Sequence, residues 1–174
     1  MIWIGLDIAT ALSEALAKRP VQGPIFFLCS KQTHPLCLDL IDMAEITIPA
    51  NHVFAIADGE NAKNLDTCAS VYQWLQSCGA LRNALLINIG GGALCDVGGF
   101  CASTYMRGIT FWNIPTTLLA MVDASVGGKN GINLGHHKNY IGTFQLPENI
   151  YVSPHWLGTL PQTELLNGWA EVIK

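Results

Sequence analysis

Between Gly90 and Gly142 the chain holds 11 of its 17 glycines but only five charged side chains, Asp96, Arg107, Asp123, Lys129 and Lys138. Glycine loses more chain entropy on folding than any other residue. Such density therefore marks places where the backbone turns sharply or another group comes close to it. Isolated charges in so apolar a stretch are candidates for a site. The run Leu85–Ile89 leads into Gly90-Gly91-Gly92 and then into a helical pattern containing Asp96, Phe100 and Met106. A strand, a glycine turn and a helix N-terminus together offer free backbone N–H groups and a positive dipole end, which is phosphate-binding chemistry. The G-x-G-x-x-G spacing of the dinucleotide fingerprint is absent, and a plain tight turn would use the same glycines. Asp58-Gly59-Glu60 with Lys63 is likewise a turn signal first. Farther on, Asp123-Ala-Ser-Val-Gly127-Gly128-Lys129 reads as a glycine turn with a solvated lysine, or as a flexible loop carrying Asp123 and Lys129 to an anionic ligand. His136 and His137 are adjacent and expected in solvent, and no histidine pair has the i, i+4 spacing of a helical zinc site.

The elements that must position these residues alternate. Ile25–Cys29, Ile46–Ile48, Leu85–Ile89 and Phe111–Ile114 read as short buried strands. Ala9–Arg19 and Asn61–Cys78 carry helical spacing; in the second, Leu65, Cys68, Ala69, Tyr72 and Leu75 share one stripe. Strands alternating with helices predict an α/β fold, its mostly parallel sheet covered by helices on both faces. After Pro161 a last helix sets Leu165, Leu166, Trp169, Ala170, Val172 and Ile173 on one side and Glu164, Asn167, Glu171 and Lys174 on the other. It has no C-terminal cap signal. The expectation is a first unit over 1–154 and, over 155–174, the start of a truncated helical C-terminal domain.

Composition excludes several classes. Half of the 174 residues are apolar and 13% are charged, so the chain is not disordered. A net charge of −4 gives no broad electrostatic grip on nucleic acid. Six cysteines without a C-x-x-C pair read as buried free thiols, not as a disulfide framework. The uncharged run 108–122 contains Pro115, and no uncharged run exceeds its 15 residues, too few to span a bilayer. No basic region precedes the first apolar residues, so no signal peptide is expected, and the reading is soluble and cytoplasmic.

Taken together, GGGALCDVGGFCASTYMRG, IPTTLLAMVDASVGGKNGIN, HHKNYIGTF and TLPQTELLNGWAEVIK resemble the 3-dehydroquinate synthases of the sugar-phosphate cyclases, collinearly from about Asp58 to Lys174. The resemblance implies a Rossmann-like domain binding NAD, followed by a helical domain holding zinc (or cobalt) and most of a small sugar-phosphate substrate. It implies cofactor contacts from Asp58, Gly59, Glu60, Lys63, Gly91, Gly92, Asp96, Thr116, Thr117, Lys129 and Lys138. Asp123, Lys129 and Asn139 would touch nicotinamide or substrate, and Lys174 the substrate. Arg107 would reach the substrate phosphate of a neighbouring subunit, hence a homodimer. Glu171 would be a metal ligand, and the family's two histidine ligands are expected beyond Lys174. The activity implied is cyclisation of 3-deoxy-arabino-heptulosonate 7-phosphate to 3-dehydroquinate and phosphate. The alternatives are another cyclase, such as an inosose synthase, or a non-catalytic nucleotide-binding module.

Four positions depart from the family pattern. Cys95 stands where glycine usually precedes the aspartate, Asn130 where threonine follows the lysine, and Ala62 where an aromatic is usual. Cys29-Ser30-Lys31 lacks the acid that normally holds the adenosine ribose after an early strand.

Overall fold

The computed structural model describes all 174 residues. In chain order the elements are β1 (Ile2–Ile4), α1 (Ile8–Ala17), β2 (Ile25–Ser30), α2 (His34–Met43), β3 (Val53–Ile56), α3 (Leu65–Ser77), β4 (Leu85–Gly90), α4 (Gly92–Thr104), β5 (Thr110–Pro115), β6 (Lys129–Leu134), β7 (His137–Phe144), β8 (Asn149–Val152) and α5 (Gln162–Ile173). Six strands form one parallel sheet in the order β1-β8-β5-β4-β2-β3, and β6 and β7 form a separate antiparallel hairpin. The expected Rossmann-like sheet with helices on both faces is what the chain forms.

The two faces bury different halves of the strands. Phe26, Leu28, Leu86 and Phe111 pack under α3 and α4 on one side. Phe27, Cys29, Ile87, Ile89, Trp112 and Ile114 pack under α1 and α2 on the other, joined by Trp156 from the turn Pro154–Thr159. Each large side chain so buried contributes about 1.5–3 kcal/mol. Side chains at the starts of α1 and α3 stop them fraying, since Asp7 accepts the Thr10 N–H and Asn64 the Thr67 N–H. All six cysteines are free, and five are buried.

The structure corrects the element reading at five places. Ile46–Ile48 is not a strand: the Ile46 N–H closes the end of α2 on the Ile41 carbonyl, so it has nothing to give a ladder. The strand beside β2 is β3 instead. In α3 the stripe is turned, with Leu65 and Ala69 exposed and Val71 and Trp74 buried, because the Trp74 ring inserts between Phe26 and Phe54. Helix α4 stops at Thr104, and Met106 takes a left-handed φ of 50° that ends the regular run. The segment reaching Lys129 is a π-helical turn followed by a short glycine turn, and Lys129 itself opens β6. On α5, Gly168 rather than an apolar residue meets the body of the protein, at Leu118, and Leu166, Trp169 and Ile173 face outward.

Candidate functional site

From β2 the chain passes through α2 to β3 on one side of the sheet; from β4 it passes through α4 to β5 on the other. Adjacent parallel strands whose connections diverge leave a crevice at their C-terminal ends, where α/β folds bind ligands. Gly90–Gly92 lies in that crevice. Gly91 caps α4 with extended backbone and no side-chain cap, and its carbonyl takes the Leu94 and Cys95 N–H groups. The N–H groups of Gly91, Gly92 and Ala93 have no acceptor within the chain. A Cβ on Gly91 would lie 3.2 Å from Thr117 Cγ2, and one on Gly92 3.1 Å from the Ala124 Cβ. Neighbouring side chains thus press against this turn, and only glycine leaves its backbone open. Thr116 is buried and bonds its N–H to the Gly90 carbonyl; Thr117 Oγ1 accepts the Ala120 N–H and caps the next helical segment.

A carboxylate reaches the end of β2 from the next strand. Asp58, just past β3, places Oδ1 2.9 Å from the Gln32 N–H, at the end of β2. That backbone donor, with Ser30 and Lys31 beside it, holds the Asp58 carboxyl below the ordinary carboxylate value. The β2–α2 turn is in turn tied to β4, as Thr33 Oγ1 donates to the Ile89 carbonyl at 2.9 Å.

A third cluster centres on Lys63, whose side chain is only 4% exposed. Its ammonium donates to Asp96 Oδ2 at 2.7 Å and to Asn139 Oδ1. Asn139 sits at a left-handed φ of 51° and donates its own N–H to Asn133 Oδ1. Asn133 reaches Glu60 through Nδ2, and its N–H meets the Lys63 carbonyl. The Asp58–Lys63 turn, α4 and the hairpin are thereby joined at one cation. Burial pushes the Asp96 carboxyl up, Lys63 pulls it back, and the negative charges of Glu60 and Asp123 add to the rise.

Beside this cluster opens a cleft of about 470 Å³ lined by Asp96, Asp123, Lys129, Asn130, Asn139 and Thr143. Asp123 belongs to a π-helical turn, Ala120–Ala124, and the short turn Ser125–Gly128 carries the chain on to Lys129. Wide π turns recur where a helix bends to aim a side chain. The arrangement can hold a phosphate-bearing ligand at Gly91–Ala93 and place its far end among two carboxylates, an ammonium and amides.

Not every candidate converges there. Lys138 is exposed on β7, outside the cleft lining. Arg107 is exposed beyond α4 with a φ of 71°. Glu171 and Lys174 pair with each other on α5 at 3.2 Å. No group of three His, Cys, Asp or Glu side chains in this chain could hold a metal ion. The hairpin and its Asn133 escaped the sequence reading, which marked Asn130 only as a departure from the family pattern. Their signal was present, since Lys129–Leu134 and His137–Phe144 flank the dipeptide Gly135-His136, a two-residue hairpin turn with φ 58° at its glycine.

Residues 53–167, from β3 into α5 and spanning the glycine turn, the Lys63 cluster and the hairpin, match the family model for the 3-dehydroquinate synthase N-terminal region. The chain belongs to the 3-dehydroquinate synthase family. It is 45% identical over 152 residues to the 3-dehydroquinate synthase of Chlamydia trachomatis serovar L2, covering 87% of this chain and 41% of that one. It is 55% identical over 119 residues to that of Pyrococcus abyssi, covering 68% and 36%. Among solved structures it resembles a 2-epi-5-epi-valiolone synthase from Streptomyces hygroscopicus subsp. jinggangensis, with NAD+ and Zn2+ bound. The TM-score is 0.86 at 28% identity, over 99% of this chain and 48% of that one. The chain thus spans less than half the length of these relatives. None of its helices is long and apolar enough to cross a membrane.

Proposed function

We propose that this chain is the NAD-binding part of a 3-dehydroquinate synthase, an enzyme converting 3-deoxy-arabino-heptulosonate 7-phosphate to 3-dehydroquinate and phosphate. The observation that carries the reading is the open glycine turn at the start of the helix whose Asp96 is tied by Lys63 to the hairpin lining a polar cleft, in a chain of this family. Identities of 45% and 55% to enzymes of that name, against 28% to a valiolone synthase, favour the heptulosonate phosphate over other cyclase substrates.

The residues fit a dinucleotide. Gly91, Gly92 and Ala93 offer unpaired N–H groups for a pyrophosphate at the start of α4. Asp58, ionised at the end of β2, accepts an adenosine ribose hydroxyl in place of the absent Ser30-side acid. Gly59, Glu60, Thr116 and Thr117 wall the site, and Lys138 adds positive charge at its rim. Bound NAD supplies reversible hydride transfer, while the protein holds and orients it. Asp96, with Lys63 and Asn139, closes the nicotinamide end. Asp123 and Lys129 face the substrate, where the Lys129 ammonium neutralises an anionic oxygen. Arg107 serves the phosphate site of a second subunit in a homodimer, and Lys174 contacts substrate. Glu171 offers one carboxylate to a divalent zinc or cobalt ion, and the chain has no three-ligand group to complete such a site by itself. Residues 1–154 form the NAD-binding unit and 155–174 begin a helical one, anchored by buried Trp156. The working place is the cytoplasm.

Titration with NAD, followed in the amide NMR spectrum, tests this. Shifts are expected at Asp58–Lys63 and Gly90–Asp96, with weak affinity. No shifts at millimolar NAD, or shifts confined to other surfaces, would refute the reading.

A further inference from the structure

The turn Ser125–Gly128, between Asp123 and Lys129, is held at both ends by buried asparagines to which no role has been given. Asn88 on β4 and Asn113 on β5 are register partners at the centre of the sheet, 0% and 1% exposed. Asn88 Nδ2 donates to Asn113 Oδ1 at 2.9 Å, which turns the Asn113 amide so that its own Nδ2 donates to the Ser125 carbonyl at 3.2 Å. At the other end of the turn, buried Asn130 donates from Nδ2 to the Gly128 carbonyl at 3.1 Å and to the Gln145 carbonyl at 2.9 Å.

Helix α4 is shaped around both amides. A Cβ on Gly98 would collide with Asn88 Oδ1, and one on Gly99 with Asn130 Oδ1. The two consecutive glycines let the helix lie directly on the asparagines. The helix that opens at the glycine turn and carries Asp96 therefore also seats the amides that hold the Asp123–Lys129 turn. Threonine, usual after the lysine in this family's pattern, has one hydroxyl proton and could not satisfy two carbonyls at once. Asparagine has two amide protons and does so here.

We propose that Asn113 and Asn130 are positioning residues. By fixing the carbonyls at both ends of Ser125–Gly128, they set the direction from which Asp123 and Lys129 enter the cleft, and Asn88 sets the orientation of Asn113. This rests on the NAD-binding reading above for its functional consequence, but not for its structural one. Amide hydrogen exchange separates the two. In the 174-residue chain, Asn130→Thr and Asn113→Leu should speed exchange at Val126–Lys129 by about fivefold or more, what one lost hydrogen bond is worth, with α4 amides at Phe100–Ala102 unchanged. Unchanged exchange in the turn overturns the proposal. If Asn113→Leu fails to fold, Asn130→Thr alone decides, because that residue lies at the hairpin and outside the sheet. NAD titration of the same variants gives the second readout. The shifts at Gly91–Asp96 should persist while those at Asp123–Lys129 shrink; parallel loss of both sets would mean a merely structural role and would also overturn it. A wild-type chain that shows no NAD shifts at all refutes the cofactor reading, leaving the exchange result to judge the clamp.

Discussion

The glycine turn, which packs beside the cleft residue Ala124, and the β6–β7 hairpin, which lines that cleft, are built by different means. The turn hangs from β4, whose six residues are all buried, and it presents backbone. Its geometry follows from the sheet and from three residues without side chains. The hairpin is mostly exposed along β7 and presents side chains. It is seated by Ile132, fully buried in the core under α3 and α4, and is oriented by polar contacts, with Lys63 reaching Asn139, Asn133 reaching Glu60, and Asn130 bridging two carbonyls. A backbone-built subsite needs only local covalent chemistry and a strand behind it. A side-chain-built one depends on partners distant in the chain, so it is the more easily lost by a single substitution.

The sharpest way to break this contrast is Lys63→Met. Removing one member of a buried ion pair leaves Asp96 uncompensated and should cost about 3 kcal/mol, read as a fall in the urea midpoint. The hairpin amides should broaden while β4 amides stay sharp. A loss below about 1 kcal/mol, the value of an exposed pair, would show that something else secures the hairpin.

On the glycine side, Gly91→Val should weaken NAD binding roughly tenfold with a stability loss of about 1–2 kcal/mol, since the new side chain must displace Thr117. Calorimetric titration at low salt measures it. Unchanged affinity would separate the turn from the cofactor.

Acid titration sharpens the comparison next. Asp96 has its carboxyl raised above the ordinary 3.8 and Asp58 has its lowered. A raised carboxyl binds its proton more readily folded than unfolded, so Asp96 favours the fold in acid, and that contribution is lost as pH climbs from 3.8 through its raised folded value. Asp58 acts in the other sense: its contribution is present above 3.8 and lost as pH falls through its lower folded value. Carboxyl-carbon NMR titration should find the two midpoints on opposite sides of 3.8, and Lys63→Met should move only the Asp96 midpoint, upward. Two coincident midpoints would remove the distinction between a buried and an open carboxylate.

The smallest effect lies outside both regions. Arg107 occupies a left-handed backbone conformation that L side chains enter at a cost. Arg107→Gly should therefore raise stability by no more than about 1 kcal/mol and leave NAD affinity of the isolated chain unchanged. Weaker NAD binding would bring Arg107 into the site of its own subunit.

The sequence by itself determined the alternating plan, the parallel sheet covered on both faces and the glycine turn after β4, because each rests on local periodicity or on the conformational freedom of glycine. It also marked Asp96, Asp123 and Lys129, which the fold brings to one cleft, since isolated charges among glycines stand out without any fold; Arg107 and Lys138 stood out equally and lie outside that cleft. Only the tertiary structure decided how they meet. Lys63 and Asp96 are 33 positions apart, Lys63 and Asn139 are 76 apart, and no spacing rule connects them. Asp58, just past β3, brings a carboxylate to the end of β2, a placement that becomes visible once β2 and β3 pair in register. Asn88 and Asn113 read as ordinary strand residues until the sheet sets them side by side. Periodicity reports which face of an element is buried, whereas hydrogen-bond partners in a parallel sheet are chosen by strand order, and strand order is settled by how the helices pack.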